Sequence, residues 1–282
     1  MTAQRGAIGR LLGGLLGRLR AGWGTAASLL LLIVLWEIGH AVYGSLLLPS
    51  PRETAAALWQ MTRDGKVLPA VIETGRDALS GFLAGVVLGA LLGALAGLSE
   101  VARRLLQPIA TLMLGIPAIA WVVLSLLWFG NSGLAVVFTV LVTCAPIVFA
   151  SAAEGVLSLD GALRRMARAF RVPRRVLVLD VYLPHMLSYL FPAVATALAL
   201  AWKVAVMTEL LSGAGGIGDG LATARAQIDT AKAMAWILLV VALLLAIDHL
   251  LLDPLRRRML IWRREIPGAA LPTARRGGGV DA

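Results

Sequence analysis

Residues 153–185 read AEGVLSLDGALRRMARAFRVPRRVLVLDVYLPH, a basic and hydrophilic segment between two long apolar stretches. The chain around it has 282 residues, of which 59% are hydrophobic and 15% charged, and its mean hydropathy is +0.84. Such a composition is typical of a membrane protein, because a soluble domain needs a more polar surface. A long arginine-rich loop between two spans indicates a surface that binds a partner on the cytoplasmic side.

The apolar stretches have the length of membrane-spanning helices. A helix needs about 20 mostly apolar residues to cross a hydrocarbon layer of about 30 Å, and the alternating pattern of a membrane barrel is absent. The sequence therefore predicts an all-α integral membrane protein with six transmembrane helices. The predicted spans are 25–45, 70–98, 105–128, 132–152, 186–211 and 233–253.

The distribution of arginine and lysine predicts the orientation. With the N-terminus inside, the inner segments contain 19 of the 26 basic residues, as expected when basic residues near span ends are retained in the cytoplasm. We therefore expect both termini to be cytoplasmic in a multi-pass membrane protein. The net charge of +10 is then a topology signal, and we expect a lipid membrane around the chain and no nucleic-acid partner.

Three regions follow along the chain. A basic cytoplasmic segment, 1–24, precedes a transmembrane domain, 25–264, and a tail of low apolar content, 265–282, which we expect to be disordered. The single cysteine, Cys144, can form neither an internal disulfide nor a thiolate metal cluster. Because the sequence contains no GxxxxGK[ST], HExxH or GxSxG motif, we expect no catalytic residue, no bound cofactor and no metal site, and so no enzyme activity of its own.

The second predicted span contains a stripe of glycines at a strict spacing of four. The five are Gly81, Gly85, Gly89, Gly93 and Gly97. Small residues at this spacing allow close approach of another helix in lipid. A packing face within one bundle is favoured over a dimerisation face.

Prolines and glycines mark further irregular points. Pro108 and Pro117 in the third predicted span and Pro146 in the fourth each permit a kink. The outer segment SGAGGIGDGLATARAQIDT, residues 212–230, contains five glycines, which favour a re-entrant turn or a bend beside a gate, with a plain solvent loop as the alternative. After the first span, Pro49 and Pro51 precede a short amphipathic segment that we expect to lie along the outer membrane surface.

The basic loop itself reads as two short amphipathic helices separated near Arg171-Val172-Pro173. One face of the first helix is apolar, with Leu163, Met166, Ala167 and Phe170, and the other is basic, with Arg164, Arg165 and Arg168. Such a helix fits a hydrophobic groove with an acidic rim on a partner protein. Anionic lipid headgroups are the alternative binding surface.

In this loop the sequence resembles the permease subunits of bacterial ABC importers, specifically the nitrate, sulfonate and taurine branch. The family's signature runs Glu-Ala-Ala, three residues, Gly, nine residues, Ile, one residue, Leu-Pro. Here the same spacing joins Arg165-Met166-Ala167, Arg171, Val181 and Leu183-Pro184. Two identities depart from it, Arg165 for the glutamate and Arg171 for the glycine, so either the turn is rebuilt around Pro173 or the docking geometry differs.

The resemblance covers about residues 25–264. LPSPRETAAALWQ resembles the family's segment after the first span, and TGRDALSGFLAGVVLGALLGALAGLS resembles its second helix. ALALAWKVAVMTELLSGAGGIGDGL resembles its fifth helix and the loop that follows. The matching residues are Arg76, Gly81, Phe82, Trp202, Lys203, Glu209, Gly216, Ile217 and Gly218.

The resemblance implies a fold like that of type I ABC importer permeases, with a cytoplasmic coupling-helix loop. It implies a second copy of the chain, a cytoplasmic ABC ATPase dimer, a periplasmic substrate-binding protein, and a small-molecule substrate such as nitrate, taurine or an alkyl sulfonate. Residues 161–175 would form the coupling helix. The implied ATPase-docking residues are Leu163, Arg164, Arg165, Met166, Ala167, Arg168, Phe170, Arg171, Pro173, Leu183 and Pro184.

Charged residues within predicted spans are candidates for the translocation pathway, because an ionisable group in the membrane needs a partner or water. Lys203 could attract an anion in transit. The slightly favoured alternative is an ion pair of Lys203 with Asp248, or with Glu209 of another subunit. Arg76 begins the second span and is either part of such a pathway or a marker of the outer interface.

Two other classes of protein fit the sequence less well. A self-contained secondary transporter is disfavoured, because such proteins show paired repeats with broken helices and the two halves of this chain show no convincing repeat. A membrane anchor without transport would not need the charges of the fifth span. The sequence does not separate nitrate, taurine, other alkyl sulfonates or a small heterocycle as substrate.

Overall fold

The computed structural model describes residues 27–159, 161, 165–166, 169–170 and 172–252. The predicted basic segment 1–24 and the predicted tail 265–282 lie outside the described residues. Within the described residues every regular element is helical, as the sequence predicts, and there is no strand. The helices are α1 (Ala27–Tyr43), α2 (Pro51–Arg63), α3 (Val67–Leu98), α4 (Glu100–Gly115), α5 (Ala118–Phe129), α6 (Gly133–Leu157), α7 (Leu183–Ser212), α8 (Gly216–Ala226) and α9 (Thr230–Ala246).

Four helices in the described part of the chain are long and apolar enough to cross a membrane. They are α3, α6, α7 with the π-helical turns before it (Leu177–Ser212), and α9 with its continuation to His249. The first predicted span corresponds to α1, which has 17 described residues and falls short of the usual span length. A multi-pass membrane protein is therefore confirmed, and the count of six spans is not.

The third predicted span, 105–128, consists of two helices instead of one. Helices α4 and α5 meet at Ile116-Pro117 with a bend of 99°. The physical reason is Pro117, whose ring disfavours the helical conformation of the preceding residue and which has no N–H to continue the helix. The predicted kink is thus a sharp break, with Pro117 directly before the first residue of α5.

The chain divides into two compact units. The first comprises the described residues within 1–84, 116–143 and 201–242, and the second comprises the described residues within 85–115, 144–200 and 243–282. In the first unit, Thr139 of α6 and Ser125 of α5 form a buried hydrogen bond of 2.8 Å. In the second, a small apolar cluster contains Ala96, Ala110, Phe149 and Ala153.

The glycine stripe of α3 contacts α6 within each unit. A methyl group on four of the five glycines would overlap side chains or backbone of α6. The closest side-chain partners pair as Gly81 with Val140, Gly89 with Val148, Gly93 with Ala152 and Gly97 with Val156. Each partner lies 59 positions further along the chain, so α3 and α6 run parallel and in constant register.

Helix α2 begins with a capping box, in which the Ser50 hydroxyl accepts from the backbone N–H of Glu53 and the Glu53 carboxylate accepts from that of Ser50. The helix buries Thr54 and Met61. Trp59 is exposed, and the Arg63 guanidinium lies 5.3 Å from its ring centre. The sequence indicates a helical face through Ala55, Leu58, Trp59 and Thr62. In the structure Thr54 and Met61 form the packed side, whereas Ala55, Trp59 and Thr62 are exposed, and a position of this face along the outer membrane surface stays a prediction.

Candidate functional site

Glu209, near the end of α7, is almost completely buried, with 1% of its surface exposed. Its Oε2 atom accepts a hydrogen bond of 2.8 Å from the hydroxyl of Thr74 in α3. The same oxygen accepts a second bond of 2.9 Å from the backbone N–H of Gly218 in α8. A buried carboxylate therefore connects three helices of the first unit.

Two neighbouring side chains complete the arrangement. The hydroxyl oxygen of Thr74 accepts from the backbone N–H of Ile217 at 2.9 Å, and Glu73 Oε2 accepts from that of Gly216 at 3.0 Å. The first three N–H groups of α8 thus bind side chains of other helices. Because these groups have no partner within their own helix, the three acceptors, Glu73, Thr74 and Glu209, stabilise its start, and we name them the α8 clamp.

Helix α8 lies in the glycine-rich segment for which the sequence predicts a re-entrant turn, a bend or a plain loop. The structure instead has an 11-residue helix, Gly216–Ala226, after a tight turn. Gly215 and Gly216 have φ values of 90° and 78°, which only glycine adopts readily. A methyl group on Gly216 would overlap the Glu209 carboxylate, so the glycines are required both for the turn and for the close approach.

The other oxygen of Glu209, Oε1, is buried and has no hydrogen-bond partner among the described residues. Nearby on α3, the Asp77 carboxylate lies against Gly133, the first residue of α6. A carboxylate at a helix N-terminus is electrostatically favourable. The described residues contain no group of three or more His, Cys, Asp or Glu side chains arranged to hold a metal ion.

Lys203 and Glu209 have opposite environments on the same helix. The Lys203 side chain is exposed, whereas its neighbours Trp202 and Val204 are buried. Arg76 on α3 is also exposed, and Asp248 is half-buried in the π-helical segment Ile247–Leu252. An ion pair of Lys203 with Asp248, or with a second copy's Glu209, stays a prediction.

The basic loop is described only in part. Leu163, Arg164, Ala167, Arg168 and Arg171 lie outside the described residues. Among the described positions, Phe170 is 78% exposed and Met166 is 52% exposed. Arg165, Pro173, Leu183 and Pro184 are exposed as well.

After Pro173 the chain forms a helical turn, Arg174–Val176, and a π-helical segment, Leu177–Tyr182, that runs directly into α7. The second amphipathic helix of the loop is thus continuous with the fifth predicted span, so that the helix begins well before residue 186. The segment between Pro173 and Leu183 therefore extends α7 at its N-terminal end.

A cavity of about 160 Å³ lies in the second unit between α4 and α6. Gln107, Thr111 and Glu154 are its polar lining residues, and alanine, leucine and phenylalanine side chains form the rest. No motif in the sequence marks these three positions, because they come from two helices and have no characteristic spacing. Thr74 is the first residue of the segment that resembles the family's second helix, but it is not among the matching residues, and Glu73 lies directly before that segment.

Comparison with known proteins identifies the family. The sequence profile of the binding-protein-dependent transport system inner membrane component family matches residues 85–271. The chain belongs to this family. It is a multi-pass permease subunit of the ABC importer type, as the resemblance of the loop and of the second and fifth helices implies.

Several curated permeases are similar over most of their length. The riboflavin transport system permease of Chloroflexus aurantiacus is 36% identical, with 73% of this chain and 78% of the relative covered. The nitrate import permease of Synechococcus elongatus is 25% identical over 66% of this chain and 70% of the relative. The taurine transport permease of Escherichia coli is 28% identical over 60% and 62%.

The fold of this permease also matches a solved structure. A chain from inward-facing conformations of the MetNI methionine ABC transporter aligns with a TM-score of 0.58 and 21% identity. The alignment covers 71% of this chain and 96% of the other. At this identity the match shows the fold alone, and it supports the prediction of an importer-permease architecture.

Proposed function

We propose that this permease forms the translocation pathway of an ATP-driven importer for a small anion in a bacterial inner membrane, with both termini in the cytoplasm. It works as a homodimer, receives its substrate from a periplasmic binding protein, and docks a cytoplasmic ATPase dimer through residues 161–175. ATP is hydrolysed by the partner, and the permease itself binds no cofactor. Membership of the importer family and the basic bias of the inner segments support this assignment.

The single observation that carries the anion pathway is the exposure of Lys203. Five of the six residues from Ala201 to Val206 are buried, and Lys203 is the exception. A lysine directed away from the packed side of a membrane helix needs water or a counter-charge. A water-filled path for anions provides both.

The relatives support a small anion and also suggest a second candidate. Proteins named for nitrate, taurine and bicarbonate transport are among the similar permeases. The relative named for riboflavin has a higher identity, 36%, so a heterocycle of that size is the second candidate. Replacement of Lys203 separates the two, since a neutral heterocycle does not need the lysine charge.

The docking role of the basic loop is supported by its composition and by its exposed apolar residues. Phe170 and Met166 are exposed, and arginines surround them in the sequence. An exposed apolar side chain with a basic rim fits a groove with an acidic edge on a partner. If the loop instead rests on anionic lipid headgroups, it does not require a specific partner protein.

The test is co-purification from native membranes in mild detergent, with partners identified by mass spectrometry. We expect a P-loop ATPase to accompany the wild type and to be lost when Arg164, Arg165 and Arg168 are all changed to Glu. The matched control changes Arg103 and Arg104, in the predicted inner segment 99–104, to Glu. That variant should keep the ATPase, because these arginines pair with Glu100 at the start of α4.

Two outcomes would contradict the proposal. If the triple variant retains the ATPase, the docking surface lies elsewhere. If no ATPase accompanies the wild type in several detergents, family membership describes the fold only, and a self-contained secondary transporter becomes the better hypothesis.

A further inference from the structure

Helix α8 has the features of a hinged element. Gly213 and Gly215 precede it and Gly216 is its first residue, and all three have positive φ. It is followed by Ile228, the one non-glycine residue with positive φ among the described residues, at 58°. Between these two turns, the helix buries Ile217 and Ala224 and places Gly220 against the Trp236 ring of α9.

We propose that Thr74 and Glu209 are positioning residues for transport, which act by holding α8 closed against α3 and α7 through the α8 clamp. This inference rests on the proposed function, because α8 directly follows the helix that contains Lys203. The clamp provides the hydrogen bonds that the described residues make to the first three N–H groups of α8. Breaking it should therefore free the helix to rotate about its two turns.

Thr74 is the central member of the clamp. Its hydroxyl donates to Glu209 and accepts from the N–H of Ile217, so one side chain provides two of the four hydrogen bonds. Both Thr74 and Ile217 are completely buried. Without the hydroxyl, the buried N–H of Ile217 has no acceptor and cannot reach water unless α8 moves, which favours an open position of the helix.

Valine and serine separate shape from hydrogen bonding at this position. Thr74→Val keeps the volume and removes both bonds, whereas Thr74→Ser keeps both bonds. Thr208→Val is the matched control, because Thr208 is equally buried and its hydroxyl donates to the backbone carbonyl of Val204 in its own helix. A general loosening of the bundle would raise labelling in both valine variants. Release of α8 would raise it only in Thr74→Val.

Movement of α8 can be measured with a single thiol probe. The natural Cys144, the single cysteine of the chain, is buried, so Ala224→Cys in α8, at a position 3% exposed, reports opening of the helix. The full-length protein is labelled in unsealed membranes with a charged maleimide, and Thr223→Cys is the exposed reference. Unsealed membranes make the result independent of the predicted orientation.

We expect Thr74→Val to raise the labelling rate of the thiol introduced by Ala224→Cys about tenfold. The thiol introduced by Thr223→Cys should react at an unchanged rate. Thr74→Ser and Thr208→Val should leave the rate at position 224 within about twofold of the parent. Uptake of isotopically labelled nitrate and taurine by cells should fall in Thr74→Val and be restored in Thr74→Ser, at equal amounts of protein in the membrane.

Equal labelling at position 224 in parent and Thr74→Val would overturn the proposal, as would an equal rise in Thr208→Val. Raised labelling with unchanged uptake would overturn the positioning role. If Thr74→Val does not insert, Glu73→Ala removes another clamp bond from an exposed residue and must raise labelling instead. If the parent takes up neither solute, the proposed substrate class fails, while the labelling still decides whether the clamp holds α8.

Discussion

The hydroxyl of Thr74 and the carboxylate of Glu209 lie 2.8 Å apart, although 135 positions separate them in the sequence. The contact joins α3 to α7 in a buried environment, and the same carboxylate oxygen also binds α8. A single acceptor thus satisfies a hydroxyl and a backbone N–H that have no access to water. This arrangement makes the acceptor oxygen, more than the charge, the requirement at position 209.

Glu209→Leu and Glu209→Gln should therefore differ. Leucine removes the acceptor and leaves two buried donors without partners, which should lower the free energy of unfolding by about 2–4 kcal/mol. Glutamine keeps an amide oxygen and should cost about 1 kcal/mol or less. Thermal unfolding of the purified protein in detergent measures both, and an equally large loss in Glu209→Gln would show that the charge is needed.

Gly93 provides a test of the α3–α6 register. A side chain at this position would meet the backbone of Phe149 and Cβ of Ala152, and helix backbones in close contact cannot move apart without loss of packing. Gly93→Val should destabilise the protein by about 3 kcal/mol. Gly115→Ala is the control, because a methyl group there meets no heavy atom within 4 Å, and a loss as large as that of Gly93→Val would contradict the packing argument.

Lys203→Met should lower uptake of nitrate or taurine at least about tenfold, the effect of losing about 1.4 kcal/mol of attraction for an anion. The amount of the variant protein in the membrane should not change, because the Lys203 side chain is exposed. Lys66→Met, in the exposed turn after α2, is the control for charge alone. Loss of the folded protein in Lys203→Met would instead favour an internal ion pair.

Asp229 caps the start of α9. Its Oδ1 accepts from the N–H of Lys232 at 3.0 Å, and its Oδ2 lies 2.7 Å from the ammonium group of the same lysine. Asp229→Ala should cost about 1 kcal/mol, and Asp229→Asn should cost less because it keeps a capping oxygen. Thermal unfolding in detergent measures both losses, and equal losses in the two variants would show that the ion pair matters more than the cap.

The same contact predicts a pH dependence. Hydrogen bonds from Lys232 hold the pKa of Asp229 below its usual value, so the stabilisation is present above about pH 4, the ordinary range of an aspartate, and is lost as the pH falls through the lowered pKa. Unfolding midpoints measured between neutral and acid pH should therefore converge for wild type and Asp229→Ala. A constant difference at all pH values would contradict this assignment.

The sequence predicts those features that depend on local pattern. Apolar runs predict the helices, and the spacing of four between Gly81 and Gly97 indicates the face along which α3 is approached closely. Pro117 indicates a kink, but the angle depends on what α4 and α5 pack against. A local sequence pattern carries no information on these packing partners. The start of α7 also escapes prediction, because Arg174, Arg175 and Asp180 interrupt the apolar pattern ahead of the span, although the helix continues through it.

The α8 clamp shows why part of the site could not be predicted. The glycines of residues 213–220 read equally well as a loop or a turn, and only the acceptors on α3 and α7 make a helix favourable there. Glu209 is visible as a charge in an apolar span, and the family resemblance also indicates it. Thr74 and Glu73 are ordinary residues whose role arises from contacts with residues far away in the sequence.

The constant register between α3 and α6 has a consequence for the number of times the chain crosses the lipid. Two neighbouring helices that point the same way begin on the same side and end on the same side, so the connection between them must return across the layer an odd number of times. That connection consists of α4 and α5. We therefore expect the bent pair to be a broken crossing and not a hairpin that leaves on the side it entered, a distinction that the apolar length of the two helices does not make.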